Sequence, residues 1–294
     1  MATPHFYREP GTPSSAEPLQ QGDTFPPRPP LNPKEQLIVA VIKAFTNTNS
    51  MSVADTVLYL ADPVNVACTT GDPEPELWAL YSALLRYARS VPFDDDAAHG
   101  RLVLLLQALK AQPEPPPGPG RDVLLSTWGG TSVWASLALF GAVAREEWDE
   151  APGARGGTGS ADEVREWRNL NAFVARVTAA GVYDFSVYGF WALRDTLSPL
   201  DPAEAQGPRT DTWVGDRLDE FLPAAVMWPV CAGRVLYGEA VKAGWNGQEF
   251  SLTRWQSWWE RLHEIVLSNV GEETRYMAQM AIRAMDEATK AGTS

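Results

Sequence analysis

The chain reads as an all-α protein, an irregular bundle of roughly ten helices in antiparallel pairs behind a disordered proline-rich tail. Three observations predict this class. Apolar residues recur at three- and four-residue spacing through most of the chain, strand-type alternation is missing, and helix-start signals precede the apolar runs. No period of about 30–45 residues repeats cleanly, which disfavours a regular solenoid.

Residues 1–31, rich in Pro, Gly, Ser, Gln and Glu, cannot bury enough apolar surface to offset the entropy of ordering. Pro26-Pro-Arg-Pro-Pro30 has the form of a ligand for a proline-reading module, although most such tails are plain linkers. A single all-α domain is expected over residues 32–291. Asn32-Pro-Lys-Glu35 places a cap, a first-turn proline and a first-turn acid ahead of Leu37, Ile38, Val41, Ile42 and Phe45. Ser52-Val-Ala-Asp55 opens a helix carrying Val57, Leu58 and Leu60. Pro75-Glu76 leads into Leu77, Leu80, Tyr81, Leu84, Leu85 and Ala88, and Asp94-Asp-Asp96 into Leu102, Val103, Leu106 and Leu109. A Pro/Gly linker, residues 112–120, follows.

Val123–Ala144 is uncharged for 22 residues, long enough to cross a bilayer. Its middle is Ser, Thr and Gly, and its flanks carry no Lys/Arg asymmetry, so the expectation is two helical pieces broken near Gly129-Gly130, the second buried. A second Pro/Gly linker, residues 149–160, holds a glycine-rich run that lacks the strand and Lys-Ser/Thr of a phosphate-binding loop. Ser160-Ala-Asp-Glu163 is a capping box before Trp167, Leu170, Val174 and Val177, closed by Gly181. Phe185, Tyr188, Trp191 and Ala192 line the next helix. Pro223 and Pro229 should kink or divide the apolar segment Trp213–Val241. Thr253-Arg-Trp-Gln256 reads as another capping box, and Gly271-Glu-Glu-Thr274 starts a last helix with Tyr276, Met277, Met280, Ala281, Ala284 and Met285 on one face.

Trp255, Trp258, Trp259, Leu262, Ile265 and Val266 share one arc of their helix, with His263 at its edge, the pattern of a core-facing element. Asn171-Ala-Phe-Val-Ala-Arg-Val177, Asp184-Phe-Ser-Val-Tyr188 with Trp191-Ala-Leu-Arg194, Trp255-Gln-Ser-Trp258 with Arg261-Leu262, and Glu272-Glu-Thr-Arg275 with Ala284-Met285 together resemble a fungal family, domain of unknown function 3632. The resemblance spans roughly residues 35–290 and is densest after 165. It implies an all-helical, intracellular fungal protein, and supplies no reaction or catalytic residues.

Composition narrows function further. Lys and Arg number 24 against 37 Asp and Glu, a formal charge of −13, with no basic cluster to neutralise phosphates. Nucleic-acid binding and docking on anionic membranes are therefore not expected. Cys68 and Cys231 lie far apart in apolar company, without disulfide or zinc spacing, and the first residues lack a signal-peptide run, so a cytoplasmic location is expected. Three histidines, His5, His99 and His263, leave little for a triad or a histidine-based metal site. Asp94-Asp-Asp96 lacks the second carboxylate and partner motif of a magnesium-diphosphate site, so capping accounts for it. Glu146-Glu147 and Glu272-Glu273 read as solvated pairs at helix ends. No cofactor or metal is expected.

The expected function is a non-catalytic scaffold that binds a protein partner or small apolar ligand. The alternative is a cofactor-independent enzyme, of cyclase or isomerase type, acting on a hydrophobic metabolite in an aromatic cavity. Trp191, Arg194, Trp228, Trp255 and His263 are the candidate binding residues for either.

Overall fold

The structure is a computed structural model that describes residues 28–47, 50–154, 158–198, 216–242 and 250–292. Most of the proline-rich tail thus lies outside the described residues, as does the apolar stretch before Asp216. Among the described residues there are twelve helices and no strand: α1 (Pro33–Asn47), α2 (Val53–Thr70), α3 (Glu74–Ser90), α4 (Asp96–Lys110), α5 (Pro119–Trp128), α6 (Phe140–Asp149), α7 (Ala161–Ala179), α8 (Ser186–Leu197), α9 (Asp216–Ala225), α10 (Met227–Val241), α11 (Leu252–Leu267) and α12 (Glu272–Gly292).

Helix α7 is the axis. It packs against α3, α4, α8, α9 and α10, which explains why it is buried well beyond the stripe its periodicity predicts. Its start is the expected capping box, with Glu163 N donating to Ser160 Oγ and Ser160 N to Glu163 Oε2. Its end is a left-handed Gly181 (φ +65°), with Val182 N returning to Val177 O. One cluster of buried residues runs from Ile42 in α1 to Ala288 in α12.

Helix starts follow the sequence closely. Asn32 and Glu35 cap each other reciprocally, Ser52 caps α2, and Asp95 Oδ1 accepts from Ala98 N at the start of α4. The divided apolar segment is α9 and α10, bent by 45°. The break falls at Val226, just after the residue whose carbonyl the Pro229 ring would crowd, Ala225, whereas Pro223 is carried inside α9. No single helix is long and apolar enough to cross a membrane among the described residues.

Several expectations need correction. Residues 131–139 are turns rather than the start of a second buried helix, and α6 begins only at Phe140. Leu137 and Leu139 take left-handed backbone angles (φ 49° and 70°) there. That costs about 1–2 kcal/mol per residue, which is offset by burial worth about 1.5–3 kcal/mol for a leucine side chain. The turn is bound by Glu114, whose carboxylate accepts from Val133 N (2.7 Å), Trp134 N (2.9 Å) and Ala135 N (3.0 Å). Such a distant carboxylate outcompetes helix continuation by satisfying three successive donors with a charge.

Helix α5 starts at Pro119, inside the expected linker, because proline suits a first helical turn. Helix α11 is capped by Ser251 rather than Thr253, with Arg254 N donating to Ser251 Oγ at 3.3 Å. Leu37, Leu58 and Tyr276 point outward instead of into the core. Glu147 is buried in an ion pair rather than solvated.

Candidate functional site

The tryptophan helix α11 lies on α12 and touches α8 and α10. Its apolar arc buries Trp255, Trp258, Leu262 and Ile265, so the stripe is packing first. Each indole N–H finds an acceptor on another segment, since a buried donor without one is costly. Trp258 donates to Ser198 Oγ (3.1 Å), Trp259 to Asp286 Oδ1 (3.0 Å) and Trp255 to Thr289 Oγ1 (3.3 Å). Two of these three bonds reach α12 and fix the register of the pair.

Beside Trp255 the surface opens into a groove of about 590 Å³ bounded by α10, α11 and the end of α12. Trp255, stacked edge-on against Tyr237 at 5.8 Å, and Leu252 give it an apolar floor. Leu252 is half-exposed. Thr253, Gln256, Ser257, Glu260 and Thr289 form a polar rim, where Gln256 Nε2 donates to Glu260 Oε1 at 3.1 Å. An apolar floor inside a polar rim is the anatomy of a recognition surface. Tyr237 and Glu260 are its ionisable lining groups, so it offers adhesion and hydrogen bonding rather than a paired acid and base.

The other predicted residues lie elsewhere. Trp228 is fully buried, donates to Asn171 Oδ1 at 2.8 Å and presses on Gly189 so closely that an added Cβ would meet its ring at 2.5 Å. Trp191 is half-buried on α8, and a relay of rings, Tyr188 and Trp148, runs from it to Trp228. Arg194 Nε is paired with Asp195 (2.7 Å), its guanidinium lying over Phe190. His263 is exposed, edge-on to Trp259 at 4.2 Å. Of the five, Trp255 alone lines the groove. Leu252, Gln256 and Glu260 escaped sequence reading because exposed residues have no periodic signature of their own, although the Gln-Glu pair one turn apart was a visible cue.

A second groove, about 380 Å³, lies between Phe93 and α10, with Asp94, Asp96, Arg176 and Cys231 on its walls. Arg176 is engaged by Asp96 and by Phe93 O (3.0 Å), and burial pushes the Cys231 thiol up to about 11. A thiol so protonated is a poor nucleophile at neutral pH. His99 is completely buried, its Nε2 lying 3.0 Å from Pro92 O, and burial with the nearby Arg176 charge holds it down to about 4. Among the described residues no group of three or more His, Cys, Asp or Glu side chains is placed to hold a metal ion.

Fold and groove together define a class: an all-helical protein with an aromatic-floored surface groove and no assembled acid–base pair in it. The chain belongs to the family described as protein of unknown function (DUF3632), whose model matches residues 81–262. That match takes in the second half of α3, α4 to α10 and most of α11, and leaves out α1, α2 and α12, a narrower span than the resemblance over residues 35–290 implied. No curated protein and no solved structure matches the chain.

Proposed function

We propose that the protein is a non-catalytic, intracellular helical scaffold whose groove between α10, α11 and α12 receives a segment of a protein partner. The observation that carries this reading is the groove itself, an apolar floor of Trp255, Tyr237 and Leu252 inside a polar rim. Buried aromatics ringed by polar groups are where interface energy concentrates. An enzyme built around an aromatic cavity has less support, because Trp228, in the first turn of α10, is committed to packing and to Asn171. Two unpaired cysteines agree with a reducing compartment.

The test is site-specific photocrosslinking in cells, with a benzophenone side chain at Gln256 and, as control, at Leu104 on the exposed side of α4. The expected result is a discrete protein adduct from position 256 that is lost in a Leu252→Glu background and missing from position 104. Equal adducts at both positions would overturn the reading. Labelling at 256 blocked by lipophilic extract but yielding no protein adduct would assign the groove to a small apolar ligand instead.

A further inference from the structure

The described end of the proline-rich segment, Arg28 and Pro29, is bound by the chain's own body. Arg28, the centre of Pro-Pro-Arg-Pro-Pro, places its guanidinium on Glu147 Oε2 of α6. The same oxygen receives Arg89 Nε from α3 at 3.2 Å. One turn back on α3, Arg86 Nη2 donates to the carbonyl of Pro29 at 2.6 Å. The segment then enters the Asn32–Glu35 capping box, with Glu35 3.9 Å from Arg86. Arg28 is largely buried by this contact, its side chain retaining 23% of its exposure.

The charge around this site calls for an arginine. Arg89 is almost wholly buried; burial and the neighbouring Arg28 charge push it down to about 10, and Glu147, Glu166 and Glu150 oppose that shift. Arg28 brings a second guanidinium to Glu147 Oε2, and a neutral side chain in its place would forfeit that largely buried ion pair. Arg86 adds a different requirement, a free carbonyl one residue after the arginine. An extended proline-rich strand supplies that, because its carbonyls make no internal hydrogen bonds. A carboxylate for the arginine, Glu147, beside a donor for the next carbonyl, Arg86, is a two-point reader of an Arg-Pro pair.

We propose that the surface of Arg86, Arg89 and Glu147 is a polyproline clamp whose occupant is the chain's own Arg28–Pro29, so that the Arg-Pro pair at the heart of the motif is held in cis and withheld from external proline-reading domains. The clamp is independent of the α10–α11–α12 groove. Because the strap is tethered at Pro33, its effective concentration at the site is on the order of millimolar. A clamp closed in cis for about four-fifths of the time must therefore bind the free strap with a Kd below roughly a quarter of a millimolar.

The experiment titrates a fluorescein-labelled peptide of residues 24–33 into the full chain carrying Arg28→Ala, following anisotropy to several millimolar protein-binding equivalents by competition with unlabelled peptide. Saturable binding is expected, at least about fivefold weaker to the wild-type chain, whose site is filled. A peptide with Ala in place of Arg28 should bind at least tenfold more weakly, and the chain with both Arg28→Ala and the peripheral Arg86→Ala severalfold more weakly. Equal affinity of wild-type and Arg28→Ala chains, indifference to the peptide's arginine, or no saturation would each overturn the proposal. Circular dichroism of the variants checks that they remain folded.

Discussion

Lowering the pH from 7 to 5 should destabilise this protein through one side chain, His99. The ring is completely buried, stacked on Phe173 at 6.2 Å, with Nε2–H donating to Pro92 O and Nδ1 left without a partner. Burial and the Arg176 charge outweigh the Pro92 carbonyl, Asp95 and Asp96, and hold the folded-state pKa at about 4 against an ordinary 6.5. The unfolded chain therefore takes up a proton below about pH 6.5, while the folded chain refuses it until about pH 4. Stability is lost as pH falls through that window and levels off beneath it. At about 1.4 kcal/mol per tenfold difference in proton affinity, the whole window carries about 3 kcal/mol, of which about 2 kcal/mol falls between pH 7 and 5. Urea unfolding of the wild type and His99→Gln at both pH values isolates the effect, since glutamine retains a donor for Pro92 O and cannot titrate. Carboxylates elsewhere act on both proteins alike and cancel. If His99→Gln loses as much stability as the wild type over this interval, to within about 0.5 kcal/mol, the reasoning is wrong.

Other perturbations test the packing and the groove. Gly189→Ala should lower stability by about 1–3 kcal/mol in thermal or urea unfolding, because overpacking against Trp228 exceeds the gain of up to about 1 kcal/mol in helix propensity. A neutral or stabilised Gly189→Ala would mean that the α8–α10 contact is looser than described. Glu114→Ala strips three backbone donors of their acceptor and should cost about 2–3 kcal/mol, with hydrogen exchange at Val133–Ala135 accelerated well before exchange in α7. Leu252→Glu, at a half-exposed position, should change stability by less than about 0.5 kcal/mol while abolishing partner capture at the groove.

Legibility in the sequence followed the range of the forces involved. Caps such as Asn32–Glu35, Ser52 and Ser160–Glu163 operate within one turn, and they appear where the residues predict them. The core faces of α3 and α4 likewise follow from spacing alone, with Leu77, Leu84, Leu102 and Leu106 all fully buried. The turns over residues 131–139 were illegible because their cause, the Glu114 carboxylate, lies some twenty residues upstream. Leu37 and Leu58 were assigned inward because an amphipathic stripe does not say where its edge falls. At the groove, Trp255 was legible as an aromatic on a stripe, but its partners Tyr237 and Thr289 come from two other helices. Glu147 looked like one of a solvated pair, and only the approach of α3 and Arg28 makes it a buried hub.

The order in which the chain emerges during synthesis gives the α10–α12 contact a further meaning. Helices α9 and α10 together have the length and apolarity of a bent membrane span, yet they are largely shielded in the finished fold. The cover for α10 includes α12, the last helix, along with α7, which is made earlier. At about 5–20 residues per second, residues 242–292 take several seconds to be added, and through that interval the apolar bent pair is without its α12 cover. Nascent chains of this protein should thus be clients of holding chaperones until α12 has emerged, and a stop codon placed before Glu272 should turn a folding protein into an aggregating one.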